Sequence, residues 1–295
     1  MTLLAIGATS SQAQPSLPSS FHAKTIRSPE GADIFVRWGG KGPVVVLIHG
    51  YAENSDSWAP LAADLMKDHT VVVPDLRGIG KSSKPEGGYD KKTQARDIRA
   101  VVSALGYDKT FVVAHDIGNM VAYAYAAIYP DKVQRLVVMD APIPGIEPWS
   151  EILLNLEFGT STFMDLTLKG LWPVVNASTL IAYGMTSRPI LPSLMRLRET
   201  SLRQRTPSRV GGGLGSPSSP PSQDAKDNKI FEQVELTMPV LAVGGEKSFG
   251  PLQGVIMRHV ATNVQEAVVA GSGHWLMEER PAETVALIRN FLDSP

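Results

Sequence analysis

The stretch Ala114-His115-Asp116-Ile117-Gly118 decides the fold class, because the periodicity of the chain changes there. Residues 110–115 are largely β-branched and apolar, which predicts a buried strand. From Ile117 to Ile128 the apolar residues recur at helical spacing. Asp116 stands alone between the two segments, and a glycine follows two positions later. The pattern predicts a sharp strand-to-helix turn that exposes the Asp116 side chain at the end of a strand.

This turn has the setting of the G-x-S-x-G nucleophile elbow. Here Ala114 takes the place of the first glycine and Asp116 that of the serine. A serine elbow makes acyl-enzymes from esters, whereas a carboxylate elbow attacks saturated carbon and makes an alkyl ester of the enzyme itself. Because aspartate ionises at a pKa of ~4, it is already an anion at neutral pH and needs no base to attack. An aspartate that only caps the following helix is the structural alternative.

Strands alternate with helices along much of the chain, which predicts an α/β fold with a mostly parallel sheet and sites at the carboxyl ends of the strands. The predicted strands cover residues 33–38, 44–48, 70–74, 110–115, 135–139, 240–243 and 266–269, and the predicted helices cover 57–67, 91–105, 117–128 and 281–292. The alternation stops between about Pro142 and Asn228. We therefore expect a core formed by residues 24–142 and 229–295, with a helical lid inserted at 143–228.

Residues 184–223 have an unusual composition within that lid. They are rich in Arg, Ser, Pro and Gly and contain no lysine and no aromatic residue. This composition predicts either a disordered, solvated loop or a stretch translated out of frame from a GC-rich gene. A compact domain seldom carries so long a loop without secondary structure, which favours the second interpretation.

The charge and composition exclude several classes of partner. A formal net charge of −1 and a pI near 6.6 give no electrostatic basis for binding nucleic acid or an anionic membrane. The chain has no cysteine, and its histidines lack the spacing of metal ligands, so we expect no metal and no cofactor. No apolar run reaches the ~18 residues that a membrane span needs.

The N-terminal 23 residues are predicted to be a signal remnant or a flexible tail. Leu3-Leu4-Ala5-Ile6 is apolar, and Ser11-Gln12-Ala13 has the small residues of a cleavage site. This pattern favours a periplasmic or secreted protein, with a cytoplasmic location as the alternative.

Four motifs, taken together and in order, resemble the α/β-hydrolase family, specifically its branch of epoxide hydrolases and dehalogenases. They are His49-Gly50-Tyr51, Pro74-Asp75-Leu76-Arg77-Gly78-Ile79-Gly80-Lys81-Ser82, His115-Asp116-Ile117-Gly118 and Gly271-Ser272-Gly273-His274-Trp275. The resemblance covers residues 24–185 and 224–295. It implies an α/β-hydrolase fold with a helical lid and a mechanism without cofactor or metal; it leaves the oligomeric state open.

The resemblance also assigns roles to individual residues. Asp116 is expected to be the nucleophile, and His274 the general base that takes a proton from the water that hydrolyses the Asp116 ester. The backbone N–H groups of Tyr51 and Ile117 are expected to form the oxyanion hole. The other histidines are interpreted as structural; they are His22, His49, His69, His115 and His259.

An acid must orient His274, and the sequence offers two candidates. Much of the family places an aspartate after the strand that follows the lid, but here Ser248 stands where that aspartate is expected, and Glu246 is the acid nearby. A sub-branch of the family uses the end of the preceding strand, where this chain has Asp140. We favour Asp140, with Glu246 as the alternative.

The residue after the nucleophile separates the activities that share an aspartate elbow. Haloacetate dehalogenases usually have an arginine there and haloalkane dehalogenases a tryptophan, whereas this chain has Ile117. The expected reaction is therefore the opening of a small apolar epoxide to a vicinal diol. The alternatives are dehalogenation of an apolar haloalkane, or an inactive ligand-binding protein because of the abnormal lid.

Opening an epoxide requires a proton donor for the developing alkoxide, which in the resembled family is a tyrosine of the lid. Tyr183 is the only candidate between residues 143 and 228, and packing in the core is its alternative role. Four large aromatic residues are predicted to line an apolar pocket or to pack between helices: Trp149, Phe158, Phe163 and Trp172.

Overall fold

The computed structural model describes residues 16–51, 53–152 and 222–294. Most of the predicted lid lies outside these residues. So do the candidate proton donor Tyr183 and three of the four predicted pocket aromatics, Phe158, Phe163 and Trp172. The described strands are β1 (His22–Arg27), β2 (Asp33–Gly40), β3 (Val44–Ile48), β4 (Thr70–Pro74), β5 (Thr110–His115), β6 (Val133–Met139), β7 (Val240–Gly245) and β8 (Val264–Val269). They form a sheet in the order β1-β2-β4-β3-β5-β6-β7-β8. β1 and β2 run antiparallel to their neighbours, and the strands from β4 to β8 pair in parallel.

Helices cover both faces of this sheet. The helices that lie wholly within the described residues are α1 (Ala59–Leu65), α2 (Lys91–Ala104), α3 (Ile117–Ile128), α4 (Gln223–Phe231), α5 (Leu252–Arg258), α6 (Leu276–Glu279) and α7 (Pro281–Leu292), with 3-10 turns at Ser55–Trp58 and Pro130–Lys132. Val46 and Ile48 of β3 face the core that contains α2 and α3. Val45 and Leu47 face the core that contains α1 and α7. Two covered faces explain why the central strands are apolar at nearly every position.

The predicted α/β-hydrolase architecture is confirmed, and the differences lie at the edges and ends of elements. The edge strand β1 was not predicted, because its side chains are mostly exposed and carry no apolar alternation. The predicted helix 57–67 is split into the 3-10 turn Ser55–Trp58 and α1, with Pro60 in the first turn of α1. Strands β6 and β8 each begin two residues earlier than predicted. The short helices α5 and α6 were not predicted either.

Both described ends of the predicted lid pack on the core. Trp149 is buried in the core on the α2 and α3 face, so helix packing is its role in the structure. At the other end, α4 lies against α2 and α3. There Asp224 accepts a hydrogen bond from the Lys91 N–H at 2.8 Å, and the Asn228 amide donates to the Pro144 carbonyl at 2.9 Å. The two ends of the segment therefore meet over the same face of the sheet.

Candidate active site

Asp116 occupies a strained turn between β5 and α3. Its backbone has φ 53° and ψ −126°, an unusual conformation for a residue with a side chain. Its carboxylate makes no capping hydrogen bond to α3, so the alternative role as a helix cap is wrong. A Cβ atom on Gly118 would lie 2.4 Å from the Ile48 carbonyl oxygen and 2.8 Å from that of His49. A glycine at 118 is what lets α3 begin directly against the end of β3.

Only one of the two oxygens of the Asp116 carboxylate has hydrogen-bond partners among the described residues. Oδ2 accepts a hydrogen bond from the Tyr51 N–H at 3.3 Å and lies 3.4 Å from Nε2 of His274. Oδ1 is buried and has no hydrogen-bond partner among the residues described. The Ile117 N–H, the second predicted oxyanion donor, likewise makes no hydrogen bond with this carboxylate in that part of the chain. Oδ1 is therefore the oxygen with lone pairs available for reaction.

His274 connects Asp116 to Asp140. Its Nδ1 lies 2.8 Å from Oδ2 of Asp140, on the opposite side of the ring from Asp116. Burial lowers the pKa of His274, but hydrogen bonds to the Asp116 and Asp140 carboxylates outweigh burial and raise the pKa well above its usual value. The Nδ1–H···Oδ2 bond directs the Nε2 atom at Asp116. The structure thus brings three of the predicted site residues into one hydrogen-bonded line.

Of the two predicted acids, the structure brings Asp140 and not Glu246 to the histidine. Asp140 is fully buried and has a left-handed backbone with φ 58° at the end of β6. Its Oδ1 accepts from the N–H groups of Gly245 and Phe249, at 2.8 and 3.0 Å. The Glu246 side chain is instead bonded to the Gly271 N–H at 2.7 Å. Backbone donors from the turn after β7 therefore hold Asp140 in place.

Asn119 connects the Asp116 turn to the strand that Asp140 follows. Its side-chain amide donates to the Met139 carbonyl at 2.8 Å, and its amide oxygen accepts from the Met139 N–H at 2.9 Å. With these two bonds, the Asn119 side chain pairs with the backbone of Met139 as a neighbouring strand would, and so links α3 to β6. Asn119 is fully buried. This contact was not predicted, although a polar residue in a largely apolar helix is a sequence signal for it.

His115, interpreted from the sequence as structural, contacts the same site. Its Nε2 lies 2.8 Å from the backbone carbonyl of His274, and its Nδ1 lies 3.2 Å from the Glu53 carboxylate. Both ring nitrogens face acceptors, so a doubly protonated imidazolium satisfies both contacts. Burial opposes that charge, but Glu53 outweighs burial and raises the pKa of His115 to about 9. The same ion pair overcomes the burial of Glu53 and lowers the pKa of Glu53 to about 2.

The Glu53–His115 pair links three active-site segments. Glu53 also accepts from the Gly50 N–H at 2.6 Å, in the loop that supplies the Tyr51 N–H. A further carboxyl, Glu278 of α6, has a buried oxygen without a hydrogen-bond partner in the described residues. Burial and the neighbouring Glu53 carboxylate raise the pKa of Glu278 to about 7. Neither glutamate was predicted, because their proximity to His115 depends on segments far apart in sequence.

His49 is structural, as expected from the sequence. Its Nδ1 lies 2.8 Å from the Gly50 carbonyl, and its Nε2 accepts from the Leu76 N–H at 2.9 Å. These two contacts place the proton on Nδ1 and hold the loop that leads to Tyr51. Of the remaining histidines, His69 contacts Asp68, His22 lies beside Trp38, and His259 is exposed.

Residues 16–51, 53–152 and 222–294 contain no group of three or more His, Cys, Asp or Glu placed to hold a metal ion. Within those same ranges no helix is long and apolar enough to span a membrane.

Known proteins resemble this chain in sequence and in fold. A family model for the α/β-hydrolase fold matches residues 43–281. A soluble epoxide hydrolase from Corynebacterium sp. is 32% identical over 254 residues, which is 82% of this chain and 87% of that protein. Over a shorter region of 119 residues, 39% of each chain, a fluoroacetate dehalogenase from Burkholderia sp. is 39% identical.

A solved structure of the epoxide hydrolase CorEH without ligand superposes with a TM-score of 0.70 at 25% identity, covering 92% of this chain and 99% of that one. The same fold is indicated by the strand order, by the aspartate elbow and by the matches over most of the chain. The protein belongs to the α/β-hydrolase fold family and is an epoxide hydrolase-like enzyme of that family.

Proposed function

We propose that this hydrolase opens an epoxide to a vicinal diol through a covalent alkyl ester on Asp116. The observation that carries the proposal is a carboxylate at the elbow with one buried, unbonded oxygen, opposite a histidine whose Nε2 lies 3.4 Å from the other oxygen. A carboxylate nucleophile suits attack on saturated carbon, and a neighbouring histidine suits activation of water. The named relatives that are epoxide hydrolases support the substrate class.

In the first step Oδ1 of Asp116 attacks a ring carbon of the epoxide. The new carbon–oxygen bond forms as the ring C–O bond breaks, and the ring oxygen leaves as an alkoxide that must receive a proton. Tyr183 is the candidate donor from the sequence and lies outside the described residues. The Tyr51 N–H, 3.3 Å from Oδ2, remains bonded to the carbonyl oxygen of the ester.

In the second step water hydrolyses the ester. His274 Nε2 takes a proton from water, and the hydroxide oxygen adds to the ester carbon. Oδ2 then carries the negative charge of the tetrahedral intermediate, and the Tyr51 N–H, which already donates to this oxygen, stabilises it. The Ile117 N–H at the start of α3 is the second donor that the family resemblance implies, and it would have to reach Oδ2 in that intermediate. Collapse breaks the bond to the alkyl oxygen, which receives the proton from His274. The products are the diol and Asp116 as a carboxylic acid. Loss of its proton restores the Asp116 carboxylate and replaces the proton that the donor gave to the alkoxide in the first step.

Ester formation itself prepares His274 for this second step. The Asp116 carboxylate is one of the two groups that raise the pKa of His274. Alkylation converts that carboxylate to a neutral ester, so its contribution to the raised pKa is lost. The pKa of His274 therefore falls when the ester has formed, and the imidazole becomes a neutral base at the step that needs one.

Dehalogenation of an apolar haloalkane is the second candidate function, since the same Asp116 ester would form with release of halide. The fluoroacetate dehalogenase relative supports it over 119 residues. Ile117 argues against it, because its side chain packs against the apolar core and offers no donor to a halide or a carboxylate. A protein that only binds a ligand is disfavoured by the enzymes among its relatives.

The test is the intact mass of the His274→Gln variant after exposure to a terminal epoxide and, separately, to a bromoalkane of matched carbon chain. We expect a mass gain equal to the whole epoxide, because the ester forms but its hydrolysis is blocked. The exposed His259 gives a control, since His259→Gln should turn over without accumulating an adduct. An adduct that persists when Asp116 is also changed to Asn, or one that forms only from the bromoalkane, would overturn the proposal.

A further inference from the structure

Ser248 shares one carboxylate oxygen with His274. Its hydroxyl donates to Oδ2 of Asp140 at 2.5 Å, and Nδ1 of His274 lies 2.8 Å from the same atom. Asp140 is fully buried and Ser248 is 2% exposed, so no solvent competes for this oxygen. An O–H donor to a carboxylate at this separation belongs to the short, strong class of hydrogen bonds.

Backbone hydrogen bonds hold the turn that carries Ser248 against the loop of His274. The Ser248 N–H donates to the carbonyl of Gly245, where β7 ends, at 2.9 Å. The Lys247 N–H donates to the Ser272 carbonyl at 2.8 Å, two residues before His274. The turn and the loop are so close that a Cβ atom on Gly245 would lie 2.0 Å from the Gly273 carbonyl oxygen. Ser248 therefore reaches Asp140 from a fixed position.

With this hydroxyl, four donors surround the Asp140 carboxylate. The N–H groups of Gly245 and Phe249 occupy Oδ1, and the side chains of Ser248 and His274 occupy Oδ2. A carboxylate has about four acceptor sites, so this one is saturated. Such a shell also stabilises the left-handed backbone of Asp140, a conformation that persists only where the surroundings enforce it.

We propose that Ser248 is a positioning residue of this active site, whose hydroxyl fixes Oδ2 of Asp140 opposite His274 and takes up part of the negative charge on that oxygen. It acts through Asp140 and does not touch substrate. The proposal rests on the proposed function, in which Asp140 orients His274 as the base. A hydroxyl that shares the charge leaves less of it to stabilise the imidazolium, so His274 releases its proton more readily.

Other charged groups also act on His274, and the substitution of Ser248 leaves them in place. Asp116 faces it from the elbow, Asp140 from the end of β6, His115 from β5 and Glu278 from α6. Removal of the hydroxyl increases the charge available on Asp140 Oδ2. The direction of the effect is therefore defined: loss of the Ser248 hydroxyl raises the pKa of His274.

The experiment is an NMR titration of the His274 ring in the full-length protein without substrate, for wild type, Ser248→Ala and Ser248→Thr. We expect the pKa of His274 to rise by about one unit in Ser248→Ala, equivalent to a tenfold change in proton affinity. Ser248→Thr keeps the hydroxyl and should retain the wild-type value. The acidic limb of the pH profile for hydrolysis of the preformed Asp116 ester should move in parallel.

The matched control is Thr70→Val. Thr70 is also buried, and its hydroxyl bonds to the Gly42 carbonyl at the opposite end of the sheet. An unchanged pKa of His274 in Ser248→Ala, or an equal change in Thr70→Val, would overturn the proposal. If Ser248→Ala does not fold, Ser248→Cys provides a weaker donor of similar size and should give a smaller rise. Because the titration needs no substrate, a failure to form the Asp116 ester would contradict the proposed function alone.

Discussion

Oδ2 of Asp140 lies 2.8 Å from Nδ1 of His274, although 134 positions separate the two residues in sequence. The contact joins the end of β6 to the loop that follows β8. It excludes Glu246 from the same role in this structure, because the Glu246 carboxylate is bonded to the Gly271 N–H. Which of two acids orients the histidine is therefore decided by contacts between distant segments.

Asp140→Asn should remove the orientation of the histidine with little change in shape. An amide at this position favours the wrong ring tautomer, and the comparable change in a serine-protease triad lowers turnover by ~10⁴-fold. We expect a loss of about three to four powers of ten in kcat, with ester accumulation visible by intact mass. Glu246→Gln should keep activity within the same order of magnitude. The reverse ranking of the two variants would show that Glu246 is the acid.

Glu53→Gln should destabilise the protein in a pH-dependent way. Removing one partner of a buried ion pair costs about 3–5 kcal/mol, because the other charge stays buried without compensation. The His115 pKa is raised from 6.5 to about 9, so its contribution is complete below pH 6.5 and is lost as the pH rises through 9. The Glu53 pKa is lowered from 4.5 to about 2, so its contribution is present above pH 4.5 and is lost as the pH falls through 2.

The stability difference between wild type and Glu53→Gln should therefore be largest between pH 4.5 and 6.5 and should shrink towards pH 9. Denaturant unfolding at a series of pH values measures it. Glu30→Gln is the control, because Glu30 pairs with Arg96 at the surface, 3.3 Å apart, where such pairs contribute about 0–1 kcal/mol. A difference that stays constant across this pH range would contradict the assignment of the buried imidazolium.

Glu278→Gln should stabilise the protein at high pH and not at low pH. The Glu278 pKa is raised from 4.5 to about 7, so the folded state binds this proton more tightly than the unfolded state does. Stability is consequently lost as the pH rises from 4.5 to 7, and glutamine avoids that loss. We expect a Tm increase of about 2–4 °C above pH 7, for a gain near 1 kcal/mol.

The neighbouring Glu279 provides the contrast for this variant. It accepts hydrogen bonds from the N–H groups of Gly273 and Trp275, at 2.8 and 3.3 Å. Glu279→Gln should therefore lower the Tm at every pH in the same series. A stabilisation by Glu278→Gln that persists below pH 4.5 would indicate a packing effect and not the removal of a buried charge.

Gly118→Ala should displace Asp116, the proposed nucleophile. The added methyl group would lie 2.4 Å from the Ile48 carbonyl oxygen, a backbone atom that cannot rotate away. Overpacking of this kind costs about 1–3 kcal/mol and shifts the backbone, so we expect a lower Tm and loss of ester formation at Asp116. Gly87→Ala is the matched control, because a Cβ atom there meets no atom within 4 Å. Equal effects of the two substitutions on the Asp116 ester would show that this contact does not position the elbow.

Many predicted elements match the structure because their signals are local. The apolar run Thr110–His115 and the helical spacing of Ile117–Ile128 predicted β5 and α3 with the bounds that the structure has. The exposed strand β1 lacked any such signal, since its pairing with β2 stabilises it more than its own burial does. Elements with a local apolar pattern could be predicted from the sequence. A strand stabilised mainly by pairing with its neighbour could not.

By itself the sequence determined the α/β fold and the aspartate at the elbow, because periodicity is a property of short segments, and the resemblance of its motifs to the α/β-hydrolase family indicated Tyr51 and His274. Only the tertiary structure decided between Asp140 and Glu246. Both follow parallel strands and so both end at the same edge of the sheet, and the sequence does not specify which carboxylate reaches the histidine. The turn after β7 makes the difference, because its N–H groups and the Ser248 hydroxyl donate hydrogen bonds to the Asp140 carboxylate. The Glu246 carboxylate instead accepts a hydrogen bond from the Gly271 N–H.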